Sequence, residues 1–256
     1  MSDQLTLLGV GASAGTPVVG CECNTCKSTN KKNYRTRCSS VLSLKNGKNI
    51  LIDTSPDLRL QSLREGLTSV DAVLFTHHHA DHCHGIDDLR AFCQINKKQI
   101  PLYGNQFSMN ELNKKFQYAM VDPNGFWETP ILKPNVINEP FDLFGLAIEP
   151  IPVFHGKSLI NGYRLGNMAY LTDVSKIPDS SMEQLQNLDV LLLDCLRNEP
   201  HPTHFSYMES IDVAMELGAK KTFLIHMTHD LEYDALSKKL PESIYVGYDG
   251  LKINVN

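Results

Sequence analysis

Four side chains that can bind metal ions lie within six consecutive positions of this sequence: His77, His79, Asp81 and His82. They directly follow the apolar run 72–75, which has the composition of a buried strand. Imidazoles this close together repel one another once protonated, and burying the group costs desolvation, so a divalent cation would relieve both problems. Because one catalytic zinc usually takes three protein ligands plus water, four ligands predict two metal ions.

The composition is that of an ordinary globular protein. The 256 residues are 42% hydrophobic and 21% charged, which predicts one large domain spanning residues 1–256. A net charge of −5 and a pI near 6.0 argue against a broadly basic nucleic-acid surface. The sequence shows neither a signal-peptide pattern nor an apolar run of transmembrane length. We therefore expect a cytoplasmic protein without a membrane partner, whose seven cysteines are mostly thiols or metal ligands.

Strand-like and helix-like segments along the chain predict a layered α/β fold with the site at one edge of the sheets. An Asn-Gly pair at 46–47 predicts a hairpin between strands 40–44 and 49–53. The other predicted strands are 5–10, 72–75, 146–149, 168–172, 190–193 and 222–225. The predicted helices are 58–67, 87–95 and 208–217, the last ended by Gly218.

Three further potential ligands follow apolar runs later in the chain: His155, Asp173 and His226. Strand ends are rigid, so ligands placed there can be held in fixed geometry. A single His or Asp at such a position is most often an ordinary capping residue. Three of them in a chain that also carries the dense cluster favour a shared metal centre.

The string from His77 to His82 fits the His-x-His-x-Asp-His signature of the metallo-β-lactamase superfamily, and the sequence resembles that family over nearly its whole length. The resemblance implies an αββα sandwich. It also implies that Asp173 bridges two metal ions and that Asp53, at the strand end 51–54, orients the ligands from behind. An Asp at position 173, where true β-lactamases differ, favours a binuclear hydrolase over antibiotic hydrolysis.

The same resemblance divides the remaining ligands into two sets. The first metal ion takes His77, His79 and His155. The second metal ion takes Asp81, His82 and His226. His78 and His84 lie within or just beyond the signature, but we expect neither to be a ligand.

A second metal-binding pattern lies near the N-terminus, where Cys21, Cys23 and Cys26 fall within six positions. Such spacing in a reduced protein suits a thiolate zinc site. The string 15–26 closely resembles the phosphoribosyl cyclic phosphodiesterase branch of the superfamily, which belongs to the carbon–phosphorus lyase pathway. That resemblance implies a structural zinc in a small N-terminal loop, about residues 15–38, with His229 as its fourth ligand.

The branch resemblance also singles out His204, which matches the family's phosphate-side histidine. An imidazole near the metal ions could bind phosphate or protonate a departing alkoxide. His201 is the local competitor for that role.

Aromatic side chains of the region 101–140 offer two interpretations, a pocket wall or ordinary core. At their spacing the core is the commoner outcome. They are Phe107, Phe116, Tyr118, Phe126 and Trp127.

Together with these patterns, the resemblance implies a metal-dependent phosphodiesterase with His204 and Asp81 as catalytic residues. Two divalent ions, Mn²⁺ or Zn²⁺, would lower the pKa of a water molecule, and one structural Zn²⁺ would hold the cysteine loop. The expected partner is a small phosphodiester, such as a cyclic ribose or nucleotide phosphodiester, rather than a nucleic acid. Whether the protein forms a homodimer stays open.

Three other functions also stay open. RNA 3′-end processing uses a related core, but the chain lacks a long basic or Gly/Pro-rich insertion for clamping tRNA. Thioester hydrolysis usually accompanies a C-terminal helical domain, for which little chain remains after His229. A non-hydrolytic accessory role in cofactor biosynthesis also occurs among relatives with the cysteine pattern, although the seven retained ligands speak against it.

Overall fold

The computed structural model describes residues 2–120 and 132–255. In chain order its strands are β1 Asp3–Gly9, β2 Ser39–Ser43, β3 Asn49–Ile52, β4 Ala72–Leu74, β5 Ile100–Gly104, β6 Leu132–Val136, β7 Phe141–Leu143, β8 Leu146–His155, β9 Ser158–Leu165, β10 Met168–Leu171, β11 Val190–Asp194, β12 Lys221–Ile225, β13 Ile244–Val246 and β14 Lys252–Val255. The helices are α1 Leu58–Glu65, α2 Ala80–Cys83, α3 Leu89–Asn96, α4 Gln106–Lys115, α5 Gln117–Met120, α6 Asp179–Gln184, α7 Tyr207–Leu217 and α8 Tyr233–Ser237. Among these helices none combines the length and apolar character needed to cross a bilayer.

The strands form two mixed sheets with matching designs. The first sheet has the order β14-β1-β2-β3-β4-β5-β6, and the second has the order β13-β12-β11-β10-β9-β8-β7. In the first sheet β14, β1, β2 and β3 pair antiparallel, and β3 to β6 pair parallel. In the second sheet β7 to β10 pair antiparallel and β10 to β13 pair parallel. Each sheet therefore has a half made of parallel strands, and the carboxyl ends of those strands can carry a functional site.

The alternation of side chains across strands builds two apolar layers. In β3, Ile50 and Ile52 join the core between the two sheets, whereas Leu51 faces the opposite way. Leu51 packs in a second cluster with Leu58 of α1 and Leu89 of α3. Helix α7 covers β11 of the other sheet. The layers are helix, sheet, sheet and helix, so the predicted αββα class is confirmed.

Most predicted elements are present with shifted ends. The hairpin is confirmed, with Ser43 opposite Asn49, and α7 ends at Gly218, whose φ of 59° is left-handed. The predicted helix 87–95 begins instead as a 3-10 turn, Ile86–Asp88, followed by α3. The predicted strand 146–149 is too short, because β8 continues to His155. The strand includes two prolines, and both of its neighbours pair with it antiparallel.

Candidate metal centre

The histidine cluster lies on the connection that leaves β4 of the first sheet. His77 follows the strand within three residues, and His79 is the N-cap of the single-turn helix α2. Asp81 and His82 occupy consecutive positions of that turn and are buried. His77 is also buried, whereas His79 is exposed at the mouth of the site. One short connection thus supplies four potential ligands.

The second sheet supplies three more potential ligands from the same edge. His155 is the last residue of β8, Asp173 lies two positions after β10, and His226 directly follows β12. Strands β10, β11 and β12 are parallel neighbours, so residues that follow them meet at one edge. Asp173 and His226 are almost fully buried, and His155 is half-buried.

The seven side chains gather into two groups, in each of which the possible ligand atoms lie within 4.8 Å of one another. One group is His77, His79 and His155. The other is Asp81, His82, Asp173 and His226.

Asp173 lies between the two groups. Its Oδ2 is 3.1 Å from Nε2 of His82 and 3.4 Å from Nε2 of His226. Its Oδ1 is 3.9 Å from Nε2 of His77, in the other group. One carboxylate therefore offers an oxygen to each side.

Asp53, after β3, orients the cluster from behind. Its Oδ2 lies 2.8 Å from Nδ1 of His82 and accepts a hydrogen bond from the Thr76 hydroxyl at 2.8 Å. Its Oδ1 accepts the Thr76 amide at 2.8 Å. The side chain is fully buried. Because Nδ1 of His82 faces Asp53, Nε2 must face the cluster.

The donor set fits divalent cations. Four buried imidazole nitrogens have no hydrogen-bond partner: Nδ1 of His226, and the Nε2 atoms of His77, His82 and His226, which lie beside Asp173. Buried polar atoms without partners are rare in folded proteins, and here they converge with two carboxylates. Imidazole nitrogens and carboxylate oxygens are ligands for Zn²⁺ and Mn²⁺, so such ions would satisfy these atoms.

Asp194, at the end of β11, is a site residue that the sequence patterns did not single out. Its carboxylate lies 3.3 Å from Nδ1 of His204 and 3.4 Å from Nδ1 of His226. It also accepts the backbone amides of Asp173 and Phe205, at 3.2 and 3.1 Å. The signal was available, because Asp194 ends an apolar strand just as Asp53 and Asp173 follow apolar strands.

Three of these strand-end residues have left-handed backbone conformations. The φ angles are 58° at Asp53, 59° at Asp173 and 59° at His226. Such values cost a residue with a side chain about 1–2 kcal/mol, although Asp tolerates them better than most. Strain of this kind collects at functional sites.

The carboxylates and histidines of the cluster shift one another's pKa values. Burial disfavours charge on His82 and His226, but the surrounding carboxylates outweigh it and raise the pKa of both rings well above the usual value. Burial likewise disfavours the Asp173 carboxylate, yet His226 and His82 hold its pKa well below the usual value. The pKa of His77 is lowered by burial and by His82. A bound cation would displace the protons of His82 and His226.

His204 lies on the second-sheet side of the cluster. Its Nε2 is 3.8 Å from Oδ1 of Asp173, and its ring stacks on that of His226 at 5.0 Å between centroids. It is 8% exposed and therefore buried within the site. His201 is half-buried, with its ring 5.3 Å from that of His204.

The cysteine loop forms a second candidate site. The Sγ atoms of Cys21, Cys23 and Cys26 lie 3.2, 3.4 and 3.3 Å from Nδ1 of His229. Three thiols and one imidazole nitrogen make the donor set of a tetrahedral zinc site. The Cys26 amide donates to Sγ of Cys23 and lowers its pKa to about 6, while burial raises the pKa of Cys26 to about 11.

The two candidate sites are joined through the segment that carries both His226 and His229. The intervening Met227 pairs with the first loop, accepting the Ala12 amide at 3.1 Å and donating its own to Val10 at 2.9 Å. The buried Arg35 ties the cysteine loop to the same segment. Its guanidinium donates to the carbonyls of Thr228, at 2.8 Å, and Leu231.

Other histidines and aromatics near the signature lie outside the ligand groups of the described residues. The ring of His78 contacts Phe107 edge-on at 5.1 Å, and that of His84 contacts Phe116 at 5.9 Å. His78 therefore separates Phe107 from the potential ligand His79, and Phe107 suits a position in the wall of a pocket. Tyr118 contacts Asp87 instead. Phe126 and Trp127 lie outside the described residues.

Comparison with known proteins adds evidence on the family of this chain. Residues 48–227 match the family model described as Beta-lactamase superfamily domain. A curated relative, an octanoyltransferase of Porphyromonas gingivalis (strain ATCC BAA-308 / W83), is 38% identical over 251 residues, which cover 96% of this chain and 50% of that protein. The chain therefore spans about half the length of that curated relative.

Solved structures agree with the family match. One, described as a new diphosphatase from the PhnP family, is 41% identical with a TM-score of 0.93, covering 99% of this chain and 98% of that one. Zn²⁺-bound PqqB from Methylobacterium extorquens has the same fold at 18% identity, with a TM-score of 0.78 over 98% of this chain and 100% of that one. The chain belongs to the metallo-β-lactamase superfamily and, within it, to the PhnP family.

Proposed function

We propose that residues 1–256 form one domain and act as a metal-dependent phosphodiesterase that hydrolyses a small phosphodiester. The position of Asp173, with one oxygen toward each ligand group, carries the proposal, because it suits two ions side by side. Two divalent ions, Mn²⁺ or Zn²⁺, would supply a water of lowered pKa and neutralise charge on phosphate oxygens.

The residues that would hold the ions divide as the geometry groups them. His77, His79 and His155 would hold one ion. Asp81, His82 and His226 would hold the other, with Asp173 shared. Asp53 and Asp194 would keep the Nε2 atoms of His82 and His226 turned toward the ions, and the Ser13 hydroxyl, which donates to Asp81 at 2.7 Å, would orient that carboxylate.

His204 would serve the leaving oxygen. Asp194 beside its Nδ1 fixes the ring so that Nε2 faces Asp173 and the space where a phosphoryl group would bind. A proton held at Nε2 could pass to a departing alkoxide, which is a poor leaving group without it. Asp81 would contribute to catalysis by orienting the attacking water.

The relatives support phosphorus chemistry of this kind. The solved relative at 41% identity is described as a diphosphatase, an enzyme that acts on phosphoryl groups. The octanoyltransferase name belongs to a protein of which this chain covers 50%, so it does not describe this half in particular. None of the seven cysteines forms a disulfide, which supports a reducing, cytoplasmic setting. Zn²⁺ would bind at Cys21, Cys23, Cys26 and His229.

Turnover of bis(4-nitrophenyl) phosphate by protein loaded separately with Mn²⁺ and with Zn²⁺ tests the proposal, together with metal analysis. We expect hydrolysis with about two ions at the cluster and one zinc at the cysteine site. His204→Ala should lower kcat about 10²–10⁴-fold without loss of metal. Metal-replete wild-type protein without phosphodiester turnover would refute the function, whereas full activity in His204→Ala would refute only the role of that residue.

A further inference from the structure

The cysteine loop carries its sulfur atoms where solvent reaches them. Cys23 is exposed, and Cys21 and Cys26 are half-buried. The other four cysteines are buried: Cys38, Cys83, Cys93 and Cys195. Oxidation of a thiol requires that an oxidant reach its sulfur atom, so an oxidant in solution meets the loop cysteines first.

Cys23 and Cys26 lie in one tight turn of this loop. The Lys27 amide donates to the Cys23 carbonyl at 3.0 Å, and the Cys26 amide donates to Sγ of Cys23 at 3.4 Å. Residues three positions apart in a turn have Cα atoms less than about 7 Å apart, and a disulfide joins residues whose Cα atoms are about 4.4–6.8 Å apart. These two cysteines can therefore form a disulfide while the turn that holds them is kept.

The same sulfur atoms fasten the loop to the segment that follows β12. The Sγ atoms of Cys23 and Cys26 lie 3.4 and 3.3 Å from Nδ1 of His229, and that of Cys21 lies 3.2 Å from it. The Val18 amide donates to Sγ of Cys26 at 3.3 Å, so the start of the loop depends on that sulfur as well. Because the thiolate is the metal ligand, a disulfide would leave Cys21 and His229 alone, which is too few ligands for a structural zinc site.

The segment between the two candidate sites is held by bonds that do not involve the cysteines. The Met227 amide donates to the Val10 carbonyl at 2.9 Å, and the Thr228 amide donates to the Leu196 carbonyl at 2.9 Å. His226 directly precedes these two residues. Release of the cysteine loop should therefore leave His226 in place, so the change stays confined to the loop.

We propose that Cys23 and Cys26 are a site of reversible oxidation, where a peroxide converts the two thiolates to a disulfide and the zinc ion of the loop is released. This inference goes beyond phosphodiester hydrolysis and rests on the zinc proposed for the loop. The loop then acts as a sensor of oxidant, because one reaction removes both its zinc and its attachment to His229.

The reaction with hydrogen peroxide proceeds in two steps. The Sγ atom of Cys23 attacks one peroxide oxygen, the O–O bond breaks, and a sulfenic acid and a hydroxide form. The Sγ atom of Cys26 then attacks the sulfur of Cys23, which forms the S–S bond and releases a second hydroxide. Two protons from solvent convert the hydroxides to water. The two sulfur atoms lose two electrons in total, the peroxide gains them, and the charge of the zinc ion is unchanged.

Peroxide treatment of the zinc-loaded protein tests this assignment. A zinc indicator measures the ion released, and mass mapping of proteolytic peptides locates the oxidised cysteines. We expect release of about one zinc ion per chain. The peptide that contains Cys23 and Cys26 should become about 2 Da lighter, through loss of two hydrogens. Dithiothreitol with added Zn²⁺ should reverse both changes, and ions bound at the histidine cluster should stay bound.

Three variants assign the disulfide to its cysteines. Cys26→Ser removes one partner and should abolish the mass change. Cys21→Ser leaves the pair intact, so the mass change should persist. Cys93→Ser, which replaces a buried thiol, is the matched control and should behave like the wild type. The mapping of the wild-type protein decides the outcome even where a variant fails to fold.

Wild-type protein that keeps its zinc under peroxide, or that forms the disulfide without losing zinc, would overturn the inference. Oxidation of the four buried cysteines as fast as Cys23 and Cys26 would also overturn it, because exposure would then not direct the reaction. Release of the cluster ions together with the loop zinc would overturn its confinement to the loop. Zinc-loaded protein without phosphodiester turnover would refute the proposed function and leave this oxidation site standing.

Discussion

The buried cluster around Asp173 has seven potential ligands and the cysteine loop with His229 has four, and the two sets are held in different ways. In the cluster each side chain leaves the end of a strand or a turn beside it, and Asp53 and Asp194 orient the rings from behind. In the loop Cys21, Cys23 and Cys26 lie at or near the surface, on a segment without a strand or α-helix. Buried carboxylates thus support the ligands of the first site, whereas the thiols of the second come from a loop at or near the surface.

We therefore expect substitutions in the cluster to affect catalysis and substitutions in the loop to affect stability. Removing a ligand from the preformed cluster should abolish turnover while the sheets remain folded. Removing a ligand from the loop should loosen the loop itself, because a structural zinc contributes folding free energy directly.

Asp173→Asn should show the largest effect, a loss of kcat of at least about 10³-fold. The amide cannot offer a charged oxygen to both ligand groups, while Asn still tolerates the left-handed backbone at this position. Steady-state kinetics and metal analysis measure the loss, and thermal unfolding should change little. The exposed Asp212→Asn on α7 is the control. A Tm that falls as steeply as the activity would show that the cluster also holds the fold, contrary to the comparison.

Cys23→Ser should mainly lower the stability of the protein. We expect the free energy of unfolding to fall by at least about 2 kcal/mol, as is usual when a structural metal is lost. Thermal melts and zinc content measure it. Glu22→Gln in the same loop is the control, since its ion pair with Lys27 is exposed and contributes little. A Cys23→Ser protein that melts like the parent would rule out a structural zinc.

Asp194→Asn should weaken ion binding at the cluster about 10–100-fold, the usual effect of removing a residue that orients a ligand. Asp53→Asn should have an effect of similar size, because each carboxylate faces one ligand ring. Metal titration of the two variants gives the comparison. If Asp194→Asn bound ions normally but lost activity, its contact with His204 rather than with His226 would be the important one.

Both sites should release protons when they bind ions. His82 and His226 have raised pKa values in the ion-free protein, so they hold protons at neutral pH that an ion must displace. Ion affinity of the cluster should therefore rise with pH, at most about tenfold per unit for each displaced proton. Titrations between pH 6 and 8 measure this slope. A flat profile would mean that neutral rings already face the ions.

The sequence predicted most reliably what lies close together along the chain. The string His77 to His82 and the three cysteines are local patterns, and the ends of β10 and β12 followed from apolar runs. Asp194 shares the strand-end signal of Asp53 and Asp173, but its role depends on the rings of His204 and His226, which the fold brings beside it. The prolines of β8 concealed that the predicted strand 146–149 and the apolar run before His155 are one strand, since a strand pattern is usually ended at proline.

The left-handed backbone at Asp53 and Asp173 has a consequence for how this site is maintained over generations. Glycine accepts that conformation without strain, and an aspartate codon becomes a glycine codon by one base change. Such a change would relieve backbone strain in the folded protein while removing a carboxylate from the site. A single base change could therefore relax the backbone at either position while removing the carboxylate that faces His82 or lies between the two ligand groups.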